Sequence, residues 1–519
     1  MFPYARACGT LIAALFAVVH AHAAAAVDGA TIAQRGGAEG VPACAACHGA
    51  HGEGNAAGGF PRLAGIGRDY LARQLDAFAD GSRQSPVMAP IAKALPPADR
   101  TAVASYFASL PAPQIGSSPP ARVASDGEIL AVRGRWSDGL PACERCHGPK
   151  GAGVGLDFPP LAGQPATYIA AQLRAWKTGA RGQGPLGLMR AVADKLADAD
   201  VDAVSAYLGS GAPAAPASAD ATRTADESTP RPSALAGHPA PTHFLPPPES
   251  AIPNNDFGRL VRLGERIFTD TGNAASQYVG NDLRCSNCHL DAGRLANSAP
   301  LWAAYVAYPQ YRAKTREVNT YGERLQGCFM YSMNGKAPAL DSETLIALEV
   351  YSYWLATGAP VNAHLAGAGY PKLAKPEQAP DYARGARVYA EHCALCHGQD
   401  GQGQRVGGTQ VFPPLWGSRS FNWGAGMHQV NTAAAFVKAN MPLGLGGSLT
   451  EQQAWDVAYF MDAHERPQDP RFAESVAETR KRFHDTPESL YGLSVDGHLL
   501  GSAPAPSRRT LAGTGQRDR

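Results

Sequence analysis

Apolar residues recur at three- and four-residue steps in several stretches of the chain, the spacing that lines one face of an α-helix. The clearest of these stretches are residues 99–110, 198–208 and 450–463, which we predict to be amphipathic helices. Each of them follows an irregular stretch rich in Gly and Pro and closes a segment of its own. The pattern therefore predicts an all-α protein assembled from several small helical domains.

The first 25 residues have the pattern of a secretory signal peptide. Arg6 precedes an apolar run over residues 11–19, and Ala21-His22-Ala23 supplies small residues at the expected cleavage positions. An uncleaved membrane anchor would need about 20 apolar residues, which this run does not reach. We expect cleavage near residues 23–25, no membrane span elsewhere and a periplasmic mature protein.

Composition narrows the possible functions and locates the linkers. The 519 residues include 46 Lys and Arg against 45 Asp and Glu, a formal charge of +1, which argues against a nucleic-acid binder. Residues 211–250 contain nine prolines and much Ala, Ser and Thr, a composition typical of a disordered or extended linker. We predict a signal peptide over 1–25, domains over 26–112, 113–210, 251–372 and 373–495, and a disordered tail over 496–519.

Cysteine spacing gives the most specific chemical signal. Cys8 lies in the signal peptide, and eight of the other nine cysteines form four copies of C-x-x-C-H. In this motif two thiols attach a c-type haem and the histidine binds its iron. One copy could be a thiol redox pair or half a zinc site, but four copies in an exported chain predict four covalently bound haem c groups. The attachment residues are Cys44, Cys47 and His48; Cys143, Cys146 and His147; Cys285, Cys288 and His289; and Cys393, Cys396 and His397.

Segments around the motifs repeat as well. The first two motifs lie 99 residues apart (143 − 44), residues 60–65 read FPRLAG, residues 158–163 read FPPLAG and residues 412–417 read FPPLWG. Such repeats indicate one structural unit used several times. We therefore predict four haem domains resembling class I cytochromes c, in two pairs joined by the Pro/Ala-rich linker.

The second axial ligand of each iron is expected about 40 residues after the motif histidine. Met88 and Met189 are the only methionines between residues 26 and 256, and they follow their motif histidines by 40 (88 − 48) and 42 (189 − 147) residues. Met441 follows His397 by 44 residues (441 − 397), with Met427 and Met461 as alternatives. Ligation by histidine and methionine suits electron transfer.

The third motif offers a cysteine as well as methionines near this spacing. Cys328, the ninth cysteine, lies 39 residues after His289 (328 − 289), with Met330, Met333 and His364 as alternatives. A thiolate ligand would lower the haem potential, which a simple electron carrier does not require. We predict His/Cys ligation at this haem.

Residues 257–492 resemble the dihaem thiosulfate dehydrogenases. The resemblance rests on the sequences CSNCHLDAG at 285–293, YPQYR at 308–312, SMNG at 332–335, FPPLWG at 412–417, NWGAGMH at 422–428 and ANMP at 439–442, together with Glu323, Arg324 and Cys328. The N-terminal pair resembles a dihaem class I cytochrome c, the type of electron acceptor that accompanies such enzymes. The resemblance implies that two thiosulfate ions give tetrathionate and two electrons at the His289/Cys328 haem.

Basic residues near Cys328 would offset the repulsion between two thiosulfate dianions. Arg312, Lys314, Arg316 and Arg324 precede Cys328 within sixteen residues, although Lys314 and Arg316 could equally be solvated surface charges. Arg324 at i−4 and Ser332 at i+4 would share a face with Cys328 if the segment is helical. We predict catalytic roles for Cys328, Arg324, Ser332, Arg312 and Lys314.

A mechanism follows as a hypothesis. Cys328 leaves the iron and takes up the sulfane sulfur of one thiosulfate, and a second thiosulfate then releases tetrathionate. Electrons pass through the fourth haem to the N-terminal pair, and then to a soluble cytochrome, another high-potential carrier or a terminal oxidase. The reaction could also run backwards as tetrathionate reduction. The rival hypotheses are a multihaem electron carrier without substrate chemistry and a cytochrome subunit of another dehydrogenase. Some family members have Lys beside the methionine of the second haem, where this chain has Asn440.

Overall fold

The computed structural model describes residues 28–37, 40–112, 125–182, 184–209, 243–361 and 363–503. Helices dominate these residues, and their strands form short two-stranded hairpins. The helices fall into four groups, each built on buried apolar side chains. The all-α fold predicted from the sequence is confirmed, and the groups are called units 1 to 4 in chain order.

Units 1 and 2 repeat the same order of five helices. Unit 1 contains α1 (Gly29–Arg35), α2 (Ala45–His48), α3 (Arg68–Asp80), α4 (Met88–Ala94) and α5 (Pro97–Ser109). Unit 2 contains α6 (Asp126–Val132), α7 (Glu144–His147), α8 (Ala166–Thr178), α9 (Leu188–Asp194) and α10 (Asp198–Gly209), with strands β1 (Gly134–Arg135) and β2 (Leu140–Pro141). Proline at the first position starts α5, and the side chain of Ser125 caps α6. Helices α5 and α10 are those predicted over 99–110 and 198–208.

Units 3 and 4 have longer insertions between their helices. Unit 3 contains α11 (Asp256–Thr269), α12 (Thr271–Ala274), α13 (Leu290–Gly293), α14 (Leu301–Val306), α15 (Tyr321–Gly327) and α16 (Glu343–Leu355), with strands β3 (Gln310–Arg312) and β4 (Glu317–Asn319). Unit 4 contains α17 (Tyr382–His392), α18 (Ala394–His397), α19 (Val430–Asn440) and α20 (Glu451–Asp462), with strands β5 (Gln404–Val406) and β6 (Thr409–Phe412). A capping box of Thr450 and Gln453 starts α20, the helix predicted over 450–463.

In every unit the first helix crosses the last one at a glycine. A Cβ atom at this glycine would lie 2.1 Å from a backbone carbonyl oxygen of the partner helix, closer than real atoms approach. Only glycine therefore lets the two helix backbones meet, and the four units share this crossing. The glycines are Gly29 in α1, Gly127 in α6, Gly264 in α11 and Gly385 in α17, facing α5, α10, α16 and α20.

Units 1 and 2 pack together through a reciprocal pair of arginines. Arg83 of unit 1 donates to the Tyr168 hydroxyl (3.0 Å) and to Gln172 Oε1 (2.6 Å) of unit 2. Arg181 of unit 2 donates to Gln74 Oε1 (2.9 Å) of unit 1. Both arginines are buried, so the sequence repeat produces an interface with approximate two-fold symmetry.

Unit 2 also contacts unit 4. The rings of Phe158 and Phe412 pack with their centroids 5.1 Å apart. Cys146 of the second attachment motif and Cys396 of the fourth pack against the same small apolar cluster. The second and fourth motifs are therefore neighbours across this interface.

Units 3 and 4 form a further interface beside the third motif. Asn422 of unit 4 donates to the backbone oxygen of Met330 (2.9 Å) and to Asn334 Oδ1 (3.0 Å) of unit 3. Asp282 of unit 3 accepts a hydrogen bond from Arg405 (2.8 Å) of unit 4. These contacts fix the segment that carries Cys328 against unit 4.

The C-terminal segment departs from the prediction. After α20 come α21 (Val476–Thr479), a π-helical turn (Arg480–His484), and a hairpin of β7 (Ser494–Val495) and β8 (His498–Leu499). Leu500 is fully buried in a cluster with Trp423 and Tyr491, so the predicted disorder is wrong for residues 496–503. The predicted signal peptide, most of the linker and residues 504–519 lie outside the described residues. Within the described ranges no helix is long and apolar enough to cross a membrane.

Candidate haem sites and thiol centre

Three of the four attachment motifs fold into the same short helix. In α2, α7 and α18 the helix begins after the first cysteine and ends at the histidine. The third motif instead forms a 3₁₀ turn, Cys285–Asn287, and His289 lies before α13 rather than inside a helix. The third centre thus already differs from the others at its attachment site.

Each motif histidine is oriented by a hydrogen bond between Nδ1 and a backbone carbonyl oxygen. The pairs are His48–Pro61 (2.9 Å), His147–Pro159 (2.8 Å), His289–Ala299 (2.7 Å) and His397–Pro413 (2.9 Å). Nδ1 is therefore the donor, and Nε2 keeps its lone pair for a metal ion. Burial lowers the pKa of all four imidazoles, that of His289 to about 4, which favours the neutral form that binds iron.

The first two attachment motifs share one cavity of about 790 Å³ between units 1 and 2. Both attachment motifs line it, and so do Met88 and Met189, the methionines predicted as ligands. Arg83 and Arg181 line the same cavity. Thiols, imidazoles and thioethers in a largely apolar cavity are the donor set of c-type haem with His/Met ligation, so these residues fit the group.

The fourth motif lies at the core of unit 4. Cys393 and Met441 pack against the same cluster of buried apolar residues, which is the arrangement that a haem ligand requires. The alternatives, Met427 and Met461, also pack against this cluster. The role of Met441 as the axial ligand therefore stays a prediction.

Cys328 lies where an α-helix widens into a π-helical turn. Thr320 and Glu323 form a capping box that starts α15, and the turn Cys328–Ser332 follows directly. Such π-helical turns occur frequently at functional sites. The segment is helical, which is the condition under which we predicted that Arg324 and Cys328 share a face.

Arg324 is in direct contact with the Cys328 sulfur. Its Nη1 donates to Sγ at 2.8 Å, and the charge of Cys328 is the main cause that raises the pKa of Arg324. Burial, with a contribution from Cys328, raises the pKa of both Cys285 and Cys288 to about 12. The sulfur of Cys328 therefore lies within electrostatic range of the third attachment motif.

The alternative ligands of the third centre have different surroundings. His364 is exposed, and Met333 is 2 % exposed in the core of unit 3 beside Phe329. The backbone of Met330 is held by Asn422. Ligation of the iron by Cys328 stays a prediction, which its contact with Arg324 and its position near the motif support.

Two of the other predicted basic residues reach the same region. Arg312 ends β3, where burial and then the charge of Arg324 lower the pKa of its guanidinium. Lys314 donates to the backbone oxygen of Gly424 and lies 3.5 Å from the ring centroid of Tyr331. Burial and the charges of nearby arginines lower the pKa of Lys314 to about 7.

The remaining candidates have weaker connections to Cys328. Ser332 ends the π-helical turn, and its backbone oxygen accepts a hydrogen bond from Asn281 (2.8 Å). Its catalytic role stays a prediction. Arg316 is exposed, which agrees with a solvated surface charge.

Sequence reasoning did not identify two residues that border the site. Tyr331 lies in the π-helical turn under Lys314, and Arg471 approaches the same ring from the C-terminal segment. The sequence SMNG begins directly after Tyr331, so the resemblance pointed to its neighbourhood. Arg471 follows no motif, and only the fold brings it near Cys328.

The fold and these sites define a c-type cytochrome built from several haem-binding units, one of which has a cysteine and a cluster of cations beside its motif. Residues 26–111 and 140–212 match the family described as Cytochrome c. Residues 380–461 match the family described as Cytochrome C oxidase, cbb3-type, subunit III. Both matches agree with covalently bound c-type haem.

Comparison with individual proteins specifies the family. The chain is 62 % identical to a thiosulfate dehydrogenase of Thiomonas intermedia (strain K12) over 266 residues, 51 % of this chain and 85 % of that protein. It is 52 % identical to the thiosulfate dehydrogenase electron acceptor of the same organism over 166 residues, 32 % of this chain and 76 % of that protein. The solved structure of the thiosulfate dehydrogenase TsdBA from Marichromatium purpuratum is 48 % identical, with a TM-score of 0.81, and the match covers 92 % of this chain and 99 % of that chain. The chain belongs to the thiosulfate dehydrogenase family, as its resemblance to dihaem members indicated.

Proposed function

We propose that the chain oxidises two thiosulfate ions to tetrathionate at Cys328 and passes the electrons to its own N-terminal units. The 2.8 Å contact between Arg324 and the Cys328 sulfur carries this proposal. A guanidinium at this distance stabilises a thiolate, and the nearby Arg312 and Lys314 would offset the repulsion between two dianions. The family relatives, named for thiosulfate oxidation and for its electron acceptor, support the same function for the two halves.

Cys328 supplies the nucleophilic sulfur in two steps. Its thiolate first forms a bond to the sulfane sulfur of one thiosulfate, which releases two electrons and leaves Cys328–S–S–SO₃⁻. The sulfane sulfur of a second thiosulfate then attacks the sulfane sulfur of this adduct. The bond to Cys328 breaks, tetrathionate leaves, and the thiolate returns to its hydrogen bond with Arg324. Ser332 completes the proposed set of catalytic residues.

Four haem c groups would bind at the four motifs and accept electrons one at a time. Met88, Met189 and Met441 would supply the second axial ligands in units 1, 2 and 4, and Cys328 would do so in unit 3 when no substrate is bound. The cavity between units 1 and 2 and the Nδ1 hydrogen bonds of the motif histidines support these assignments.

The contact between unit 2 and unit 4 supports direct electron transfer between the two halves of the chain. Phe158 and Phe412 pack together next to Cys146 and Cys396, so the fourth motif adjoins the second. Electrons from the C-terminal half would therefore enter the N-terminal half at unit 2. A soluble cytochrome, another high-potential carrier or a terminal oxidase would then receive them.

The signal sequence pattern supports a periplasmic location. There, haem could be attached to the C-x-x-C-H motifs and the protein would have access to thiosulfate. The two chemical steps at Cys328 are reversible in principle, because the first forms one sulfur–sulfur bond with release of two electrons and the second exchanges one sulfur–sulfur bond for another. The same site could therefore reduce tetrathionate when electrons are supplied.

Replacement of Cys328 tests this function. We expect Cys328→Gly to abolish reduction of the protein by thiosulfate in stopped-flow spectroscopy, while dithionite still reduces every haem. The matched control, Met330→Leu in the same turn, should keep wild-type turnover. Thiosulfate oxidation by Cys328→Gly at the wild-type rate would eliminate Cys328 from the mechanism, and a wild-type protein that stays oxidised would show that the chain is an electron carrier.

A further inference from the structure

Arg471 approaches the thiol centre, that is, Cys328 with the π-helical turn Cys328–Ser332, from outside unit 3. It lies between α20 and α21, in the segment that follows the last helix of unit 4. Its guanidinium carbon is 5.3 Å from the ring centroid of Tyr331 and 4.4 Å from that of Phe483. Tyr331 belongs to the same π-helical turn as Cys328, so Arg471 contacts the segment that carries the nucleophile.

A buried carboxylate fixes the orientation of Arg471. Its Nε and Nη2 donate to the two oxygens of Asp469 at 3.0 and 2.7 Å. The other partner of this carboxylate is His484, whose Nε2 lies 2.9 Å from Oδ2. Asp469 is 1 % exposed, and its hydrogen bonds with His484 and Arg471 outweigh burial and lower its pKa. Asp469 therefore holds the edge of the guanidinium formed by Nε and Nη2, and Nη1 has no acceptor among the described residues.

Arg471 and Lys314 form a pair of cations on one aromatic ring. Lys314 Nζ lies 3.5 Å from the ring centroid of Tyr331, the ring that Arg471 also approaches. After burial, the charge of Arg471 is the largest cause of the lowered pKa of Lys314. Asp469 offsets part of this positive charge, but Arg471 and Arg324 each lower the pKa of Lys314 by more than Asp469 raises it. The arrangement therefore favours an anionic ligand at this ring.

We propose that Arg471 binds the sulfonate group of the second thiosulfate, the one that attacks the adduct on Cys328. This inference rests on the function proposed above. Arg324 is committed to the Cys328 sulfur, so it serves the first thiosulfate, and Arg471 with Lys314 supplies charge at the Tyr331 ring for the second. Asp469 and His484 are positioning residues, because Asp469 holds the guanidinium of Arg471 and His484 in turn contacts Asp469.

The KM for thiosulfate tests whether Arg471 binds the second thiosulfate. In Arg471→Gln we expect the KM for thiosulfate to rise about tenfold to hundredfold, the loss typical of a charge-assisted hydrogen bond. Arg471→Lys should recover part of the affinity. The matched control is Arg482→Gln, since Arg482 belongs to the same C-terminal segment but forms an exposed ion pair with Glu478. Its KM should stay at the wild-type value.

Mass spectrometry of the protein after one equivalent of thiosulfate and a chemical oxidant identifies the step. We expect Arg471→Gln to form the Cys328 adduct as the wild type does, and to release it more slowly when further thiosulfate is added. An unchanged KM, or loss of adduct formation, in a variant with normal haem spectra would overturn the role of Arg471. Failure of the proposed function gives a different result, because the wild type itself would then form no adduct and show no turnover.

Discussion

At the scale of single residues, the thiol centre combines one sulfur with several cations. Arg324 is bound to Cys328, whereas Lys314 and Arg471 share the ring of Tyr331. Asp469 pairs with Arg471 and also raises the pKa of Lys314, but it is a single carboxylate among several cations. The excess positive charge destabilises the empty site and is offset when a dianion binds, so binding energy is concentrated where the two substrates must meet.

Lys314 should make thiosulfate binding depend on pH. Its pKa is lowered to about 7 by burial and by neighbouring arginines, so the ammonium group is protonated below that pH and neutral above it. We expect the KM for thiosulfate to rise by about tenfold between about pH 6 and about pH 8 as this charge is lost. Lys314→Arg keeps the charge throughout and should flatten the profile. A wild-type KM that is equal at both pH values would contradict the assignment.

At the scale of elements, one helix crossing is used four times. The crossing brings the first and last helices of each unit into backbone contact at a glycine, and it requires no particular apolar pattern. The attachment motif of each unit packs against the first of these two helices. Insertions are therefore tolerated between the crossing helices, and unit 3 uses such an insertion to carry β3, β4 and α15 with the cationic residues.

A methyl group at the crossing should destabilise the unit that contains it. In Gly264→Ala the new Cβ would meet the backbone oxygen of Ala347 at 2.1 Å, which forces the helices apart. We expect a loss of about 3 kcal/mol or more in the free energy of unfolding, at the upper end of overpacking effects. Denaturant titration followed by far-UV circular dichroism measures it.

Gly272→Ala is the control for this substitution. A Cβ at Gly272 meets no atom within 4 Å, and the residue lies in α12 of the same unit. Its stability should remain within about 1 kcal/mol of the wild type, or increase slightly because alanine favours helix. Equal destabilisation by the two substitutions would show that the crossing does not limit stability.

At the scale of the whole molecule, enzyme and acceptor domains are parts of one chain. Unit 2 touches unit 4 through Phe158 and Phe412, and the units of each pair have extensive interfaces of their own. Covalent connection makes the encounter between the halves intramolecular, which raises their effective concentration. On the proposed route, electron delivery to unit 2 would need no diffusional collision.

Truncation of the interface ring should slow electron transfer between the halves. We expect Phe158→Ala to leave the first phase of haem reduction by thiosulfate unchanged and to slow the later phase that reports the N-terminal units. The control is Phe60→Ala, because Phe60 packs edge-on against His48 as Phe158 does against His147, but lies in unit 1. If both variants slow the later phase equally, the contact with Phe412 is not the route.

The sequence alone determined the chemistry that depends on local spacing. The haem attachment sites were predicted from thiols separated by two residues and followed by histidine. The all-α fold and helices α5, α10 and α20 were predicted from apolar residues at helical steps. Arg324 and Cys328 are four residues apart, so their contact also followed from helix geometry. The prediction of a disordered tail from residue 496 was wrong because the burial of Leu500 depends on Trp423 and Tyr491, which the local composition does not reveal.

Only the tertiary structure decided which distant residues meet. Arg471 approaches the ring of Tyr331, which lies 140 residues away in sequence (471 − 331), and Phe158 and Phe412 lie in different halves of the chain. Arg471 follows no motif. Phe158 and Phe412 both begin copies of the FPPL repeat, but the repeat does not indicate that the two copies meet, because their contact arises from the packing of units that have already folded. The four crossing glycines were equally hidden, since the need for a missing side chain becomes visible only when two helix backbones touch.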